Sequence, residues 1–435
     1  MKRVVAIDGH NLALRRGTGV ATYARNLADN LEEIGCETWT LYGAPISSKQ
    51  SPLLREISFF DYLGGVDVKR HWAADAYAQA KELFRAPFGY RAVDIPQSGK
   101  VEARRFIGRL PRKSQIFNVD DLFGVARRYF RAYNRFLNVR FPNPPDVMHW
   151  TYPLPIRVVG VPNVYTIHDL VPLRLPYTTL DNKRYYHRLI QGCINHGEQI
   201  CTVSEKSKED ILHLFSVSET RVTNTYQAVE DELLADVKSQ EDVEAEVEGI
   251  YGLKPQSYFL FFGAIEPKKN VGRLVEAFLS TRLDAKLVIV GSLAWKSGEE
   301  MKLLDNLSKQ RSGMHERIQL FDYVPRASLV SLIRASKAVV FPSLYEGFGL
   351  PVLEAMKLGV PTLCSREGSL PEVAGDAGLV VDPYDVSAIA KGLRTLDQDA
   401  DLRKRLVSAG SEQSRCFSSE VYQQRLQDMY TSVLA

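Results

Sequence analysis

Short apolar runs that break into polar loops recur along the whole chain. The first, Val4 to Ile7, leads into a loop with Gly17-Thr18-Gly19, and then Tyr23, Leu27 and Leu31 fall four residues apart, on one helical face. Later runs end the same way: Val147 to Trp150, Val164 to Ile167 before His168-Asp169, and Ile200 to Val203 before Ser204. Repeated strand-to-polar-loop units predict a parallel sheet. From Tyr258-Phe259-Leu260-Phe261-Phe262 the alternation sharpens. Strands predicted at Lys286 to Val290, Ile318 to Phe321, Ala338 to Phe341, Pro361 to Cys364 and Gly378 to Val381 are separated by helix-length segments. The pattern predicts an α/β protein of two Rossmann-like, doubly wound domains, residues 1–245 and 246–415, with a last helix over 416–435. Residues from about 50 to 145 show no clear period and are read as a variable insertion in the first domain.

A chain of 435 residues is long enough for two full cores, and 45% hydrophobic with 25% charged residues is ordinary for a globular enzyme. Five scattered cysteines, odd in number and without metal-ligand spacing, predict reduced thiols and a cytoplasmic setting. The N-terminal apolar run is too short for a signal peptide, and no run approaches the roughly 20 residues of a membrane span. The net charge of +3 matters less than its distribution. Residues 230–248 are strongly acidic, with only Lys238 opposing, which predicts a solvated helix or linker before the second domain. Residues 100–140 are strongly basic. Within them Leu122, Val125, Tyr129, Tyr133, Phe136 and Leu137 recur at helical spacing, with Arg127, Arg128, Arg131 and Arg135 between. A helix over 119–140 of that kind either lies on an anionic membrane surface or packs on the core with an arginine-rich outer face; the two readings stand level. Nothing else supports nucleic acid as a partner.

The most informative stretch runs from Phe341 to Met356. A strand ends in the loop Pro342-Ser343-Leu344-Tyr345-Glu346-Gly347-Phe348-Gly349, and Pro351 opens a short helix that ends before Gly359. The carboxyl end of a strand meeting the positive N-terminus of a helix is where an open α/β sheet binds anions. The amides of Gly347, Phe348 and Gly349 suit phosphate, and Glu346 and Glu354 suit sugar or ribose hydroxyls. Taken singly, each glutamate reads as a cap or a packing residue; two glutamates, two glycines and a helix start together read as a site.

Here the chain resembles a known family. Glu346 and Glu354 with Gly-Phe-Gly-Leu-Pro between them are the pattern of the family 4 glycosyltransferases, retaining enzymes of the two-domain glycosyltransferase-B fold. Ser369-Leu370-Pro371-Glu372-Val373-Ala374-Gly375-Asp376-Ala377-Gly378 and Pro267-Lys268-Lys269-Asn270 extend the resemblance over about residues 258–385. It implies domains facing across a cleft, with the last helix packing back on the first domain. It also implies hexose transfer from a nucleotide diphosphate sugar to a glycan or lipid-linked acceptor, as in bacterial surface-polysaccharide mannosyltransferases. GDP-mannose is then named ahead of a UDP-hexose as donor, at the inner face of the cytoplasmic membrane. A same-fold nucleotide-sugar epimerase or phosphorylase, or a silent sugar-nucleotide-binding scaffold, are the alternatives.

Lys268 and Lys269 follow a strand and precede a helix, well placed to neutralise a diphosphate as a metal would elsewhere. Many members of the resembling family carry Arg directly after the glycine, where this chain has Ala264, and a Pro-Arg-Lys-Asn variant supplies its arginine where this chain has Lys268, so a point charge replaces a guanidinium fork. His168 ends a strand at the cleft, and the resemblance sets it near the transferred sugar, with Asp169 either orienting it or capping the loop. Gly17 and Gly19 alone read as a structural turn; the resemblance brings them to the donor diphosphate and the acceptor. It brings Glu346 to the sugar, Glu354 to the ribose, Lys268, Lys269 and the amides of Phe348, Gly349 and Leu350 to the diphosphate, and the Val324 backbone to the base. Asp397-Gln398-Asp399-Ala400-Asp401 reads as the acidic start of a helix and not as a metal motif, so no metal is expected.

Overall fold

The computed structural model describes residues 2–14, 19–65, 82–111, 114–229, 238–292 and 317–435. Two separate sheets carry the two domains. The first has eight strands in the spatial order Val222–Asn224, Gln199–Thr202, Asn163–Ile167, Val147–Trp150, Val4–Asp8, Glu37–Tyr42, Gln115–Asn118, Val93–Ile95. All its pairs are parallel except the last. The second has six parallel strands in the order Ile318–Phe321, Lys286–Val290, Tyr258–Phe262, Ala338–Phe341, Thr362–Ser365, Gly378–Val381. In chain order that is 3-2-1-4-5-6, the doubly wound arrangement. Tyr258–Phe262 is buried along its whole length because helices cover both faces, which is why it reads as an unbroken apolar run. Among the described residues no helix is long and apolar enough to cross a membrane.

One expectation for the first domain needs correction. Part of the stretch 50–145 belongs to the main framework: Gln115–Asn118 pairs in parallel with Glu37–Tyr42, and Tyr90–Arg91 and Leu137–Arg140 join Ile156–Val158 in a small third sheet. Strands of two to four residues are too short to show a period of two, so the sequence hid them. The basic amphipathic helix forms, as Leu122–Tyr133, and of its two readings the structure shows the one that packs the apolar stripe on the core. Leu122, Val125, Ala126, Tyr129 and Phe130 are buried in the first domain's core. Arg128 pairs with Asp121 at 2.7 Å and with Glu82, while Arg127 and Arg131 face outward from the core.

Of the acidic segment, residues 230–237 lie outside the described residues. Gln240–Tyr251 is a helix whose Ser239 cap accepts from the Asp242 amide at 3.1 Å, and Val243 and Val247 are buried. It packs on the second domain, since Glu246 accepts from Ser328 at 2.8 Å and from Ser331.

The last helix, Ser419–Leu434, lies on Gly19–Glu33 of the first domain, burying Tyr422, Leu426, Met429 and Tyr430. Gln423 donates to Asn30 at 3.0 Å, and the Tyr430 hydroxyl meets Nδ1 of His149, whose Nε2 is 2.7 Å from Thr166 Oγ1. His149 is fully buried; burial, and then the neighbouring His168, lower its pKa to about 3. The unfolded chain therefore binds a proton below about 6.5 that the folded chain refuses until about 3. Stability from this group is complete above pH 6.5 and falls as pH drops through that window. The expected loss between pH 7 and pH 5 is about 2 kcal/mol. Urea unfolding at both pH values checks it: His149→Gln should flatten the difference, and an unchanged difference would remove His149 as the cause.

Candidate active site

The strand order of the second sheet reverses between Tyr258–Phe262 and Ala338–Phe341, which pair in parallel through Phe259 with Ala338 and Leu260 with Val339. Their carboxyl ends therefore open side by side. The two loops that follow are stapled together: the Leu344 amide donates to the Lys268 carbonyl at 2.7 Å. Asn270 is the second staple. Its side-chain amide donates to Pro342 O at 2.9 Å and Pro383 O at 2.7 Å. It is buried and holds φ at 61°, a left-handed conformation that Asn tolerates better than most residues. Asn270→Ala leaves two buried carbonyls without donors and strains the backbone, so it is expected to cost about 2–4 kcal/mol in denaturant unfolding. Asn270→Gly keeps the backbone freedom, and if it lost nothing the staple would be irrelevant.

This stapling brings the two lysines to the glutamate. Lys269 ends a 3₁₀ turn, Pro267–Lys269, and its Nζ lies 2.7 Å and 2.8 Å from the two oxygens of Glu346. The Glu346 side chain is buried and Lys269 is half-buried. Burial pushes the Glu346 carboxyl up, but Lys269 and then Lys268 outweigh it and hold it below the usual carboxylate value. Lys268 Nζ sits 3.6 Å from Glu266 and 3.9 Å from Asp169. Burial works against its charge, yet Asp169, Glu266 and Glu346 raise its pKa well above that of a free lysine. The Lys268 cation is therefore locked on at neutral pH.

Beyond Glu346 the loop runs into the first domain. Ser369 holds it from behind, its Oγ donating to Phe348 O at 2.6 Å and Glu346 O at 3.0 Å. Gly349 takes φ 106° and caps the helix Leu350–Lys357. Among the described residues the N–H groups of Gly347, Phe348 and Gly349 have no acceptor. A Cβ on Gly347 would stand 2.6 Å from the His168 carbonyl, so the two domains touch here. Ser207 ties the same point, donating to that carbonyl at 2.8 Å. His168 Nε2 donates to Thr151 O at 2.8 Å, and burial lowers its pKa, so it is neutral with Nδ1 left as acceptor. Tyr23 packs edge-on against its ring at 4.8 Å.

The family described as Glycosyl transferases group 1 matches residues 245–413, and Glycosyltransferase Family 4 matches 96–233. The O-antigen chain mannosyltransferase B of Escherichia coli is 35% identical over 262 residues, 59% of this chain and 67% of that protein. This chain belongs to the family 4 glycosyltransferases. The serotype-specific mannosyltransferase WbdA of Escherichia coli is 29% identical over 274 residues, which are 62% of this chain but 33% of WbdA. Among solved structures, Anabaena Alr3699/HepE in complex with UDP and glucose superposes with a TM-score of 0.67 at 13% identity, covering 99% of this chain and 100% of that one. That likeness shows the glycosyltransferase-B fold and, at this identity, nothing finer. The protein is a hexosyltransferase enzyme.

Seen on this glycosyltransferase, Glu346, Lys269, Lys268, Gly347, Phe348, Gly349 and Leu350 form one cluster, and His168 approaches it from the first domain. Glu354 lies one helix turn on and accepts from Arg326 at 3.0 Å. Val324 is buried just after Ile318–Phe321. Gly19 opens the first helix, and a Cβ there would meet nothing within 4 Å, so packing does not demand glycine. Gly17 lies outside the described residues. Of the acidic run, Asp399 caps a helix by accepting from the Leu402 amide at 2.7 Å, and Asp397 pairs with Lys337. Sequence reasoning gave no role to Asn270 or Glu372. The Glu372 carboxylate crosses the domain boundary to accept from the Glu205 and Lys206 amides and the Tyr226 hydroxyl, each at 3.0 Å. Both stand inside motifs already visible, but a motif does not say which member reaches across the fold.

Proposed function

We propose that the protein is a retaining mannosyltransferase. It would move mannose from GDP-mannose to a hydroxyl of a glycan or lipid-linked acceptor in surface-polysaccharide assembly. One observation carries the reading: two half-buried lysines, a buried glutamate and three open backbone amides converge at the switch point of the second sheet. Departure of a nucleoside diphosphate puts negative charge where Lys268, Lys269 and those amides gather, and fixed charges there favour the transition state over the ground state. Glu346 takes the sugar hydroxyls and Glu354 the ribose, with Val324 beside the base. The C1–O bond to the diphosphate breaks as C1 bonds to the acceptor oxygen on the same face, and the acceptor's proton passes to a phosphate oxygen. Two lysines supply the charge that a divalent cation would, so no metal is required. The mannose preference is supported by the names of the relatives, and the cytoplasmic setting by free cysteines at Cys36, Cys193, Cys201, Cys364 and Cys416.

Thermal shift against GDP, UDP, ADP and dTDP, each with and without magnesium, tests the donor. GDP alone should raise Tm, by mass action, to the same extent with or without the metal. A shift only from UDP would replace the donor, and a shift only with magnesium would overturn metal independence.

A further inference from the structure

We propose that a second cavity, in the first domain, is built to hold a phosphorylated saccharide as the acceptor. The proposal rests on the transferase reading and gives its acceptor a chemistry. The cavity encloses about 700 Å³. It opens at the switch point of the first sheet, where His10 follows Val4–Asp8 and Tyr152 follows Val147–Trp150. One wall is the helix Leu122–Tyr133, which presents Phe123, Arg127 and Arg131 on successive turns; Tyr185 faces them. The His10 and Phe123 rings are 4.6 Å apart, and the Arg131 guanidinium lies over the Tyr185 ring at 5.6 Å.

Charge pairing on this helix is selective. Arg128 carries two carboxylate partners and anchors the helix to its surroundings. Among the described residues Arg127 and Arg131, which line the cavity, have none within ion-pair distance. Two unpaired guanidiniums one turn apart, beside aromatic rings, match a ligand that is flat and apolar on one face and doubly anionic at one end. A pyranose stacked on Tyr152 or Tyr185, with its phosphate forked by Arg127 and Arg131, meets that description. Asp181, also on the lining, suits the hydroxyl donors of the sugar. The cavity adjoins the donor site: Tyr186, from its wall, donates to Asp169 O at 2.9 Å, and Asp169 faces Lys268. The phosphate can belong to a free sugar phosphate or to a glycosyl phosphate carried on a lipid.

Calorimetry on the full chain with mannose 1-phosphate and with methyl α-mannoside tests the inference. The phosphorylated sugar should bind about tenfold tighter, and the Arg127→Gln/Arg131→Gln variant should bring the two within about twofold. Arg127→Lys/Arg131→Lys, which keeps the charge, should restore part of the preference. Both arginines are solvent-facing, so Tm should not move. Equal binding of the two sugars by wild type, or a preference that survives the double Gln variant, would overturn the proposal. GDP thermal shift on the same samples separates the two readings: a phosphosugar preference without any nucleotide shift sinks the transferase reading and leaves the cavity standing. Farnesyl phosphomannose identifies the source, binding more tightly than mannose 1-phosphate for a lipid carrier and equally for a free sugar phosphate.

Discussion

Lys269→Ala is expected to lower kcat/KM by roughly 10³-fold, the scale for losing one aligned charge at a leaving group. Its second effect is on Glu346. In the wild type the pair keeps that carboxyl ionised below its ordinary value of 4.5, so the pair's stability is present above 4.5 and lost as pH falls through the folded value. Without Lys269 the glutamate is left in a buried site with Lys268 as its remaining cation. Breaking a buried pair costs about 3–5 kcal/mol, and the orphaned carboxyl takes up a proton at higher pH. Two readouts follow. The acid limb of the pH–rate profile should move upward in Lys269→Ala, and Lys269→Ala/Glu346→Gln should recover most of the lost Tm without recovering turnover. Turnover within about twofold of wild type in the single variant would remove Lys269 from the site.

Gly347→Ala is expected to be nearly as damaging, by a different route. The added Cβ would stand 2.6 Å from His168 O and 3.1 Å from Asp169 Cβ, and neither neighbour is the free end of a flexible side chain. The loop and the strand end must therefore move apart, and with them the two halves of the site. Misplacement of about 1 Å between reacting groups costs on the order of 10²-fold. The second domain folds around its own core, so nucleotide binding should stay within about threefold while kcat falls by about 10²-fold. Loss of nucleotide binding instead would mean that Gly347 serves the donor loop alone and not the domain contact.

Much of the catalytic half was legible in the chain. The second domain's strands are continuous apolar runs because both faces are covered, and their breaks mark the loops at the switch point. Thr362–Ser365 was expected one residue earlier, at Pro361 to Cys364, a shift within the fraying of any strand end. The first domain was harder. Gln115–Asn118 is only four residues long, and what makes it a strand is its partner, Glu37–Tyr42, far away in sequence. Asn270 and Glu372 were visible as letters of a motif, yet their roles depend on carbonyls and amides that arrive from 72 to 167 residues away.

What the sequence by itself determined was the local chemistry. It placed lysines after one strand, a glutamate and a glycine-rich turn after another, and an amphipathic helix with arginines on its polar side. Hydrophobic periodicity sets which face of a helix is apolar, but it does not say what covers that face. Only the tertiary structure turned the stripe of Leu122–Tyr133 inward, paired Arg128 and left Arg127 and Arg131 at a cavity. It alone closed the 77-residue gap between Lys269 and Glu346. Those outcomes follow from which strands become neighbours, and strand order is a property of the whole sheet and not of any segment within it.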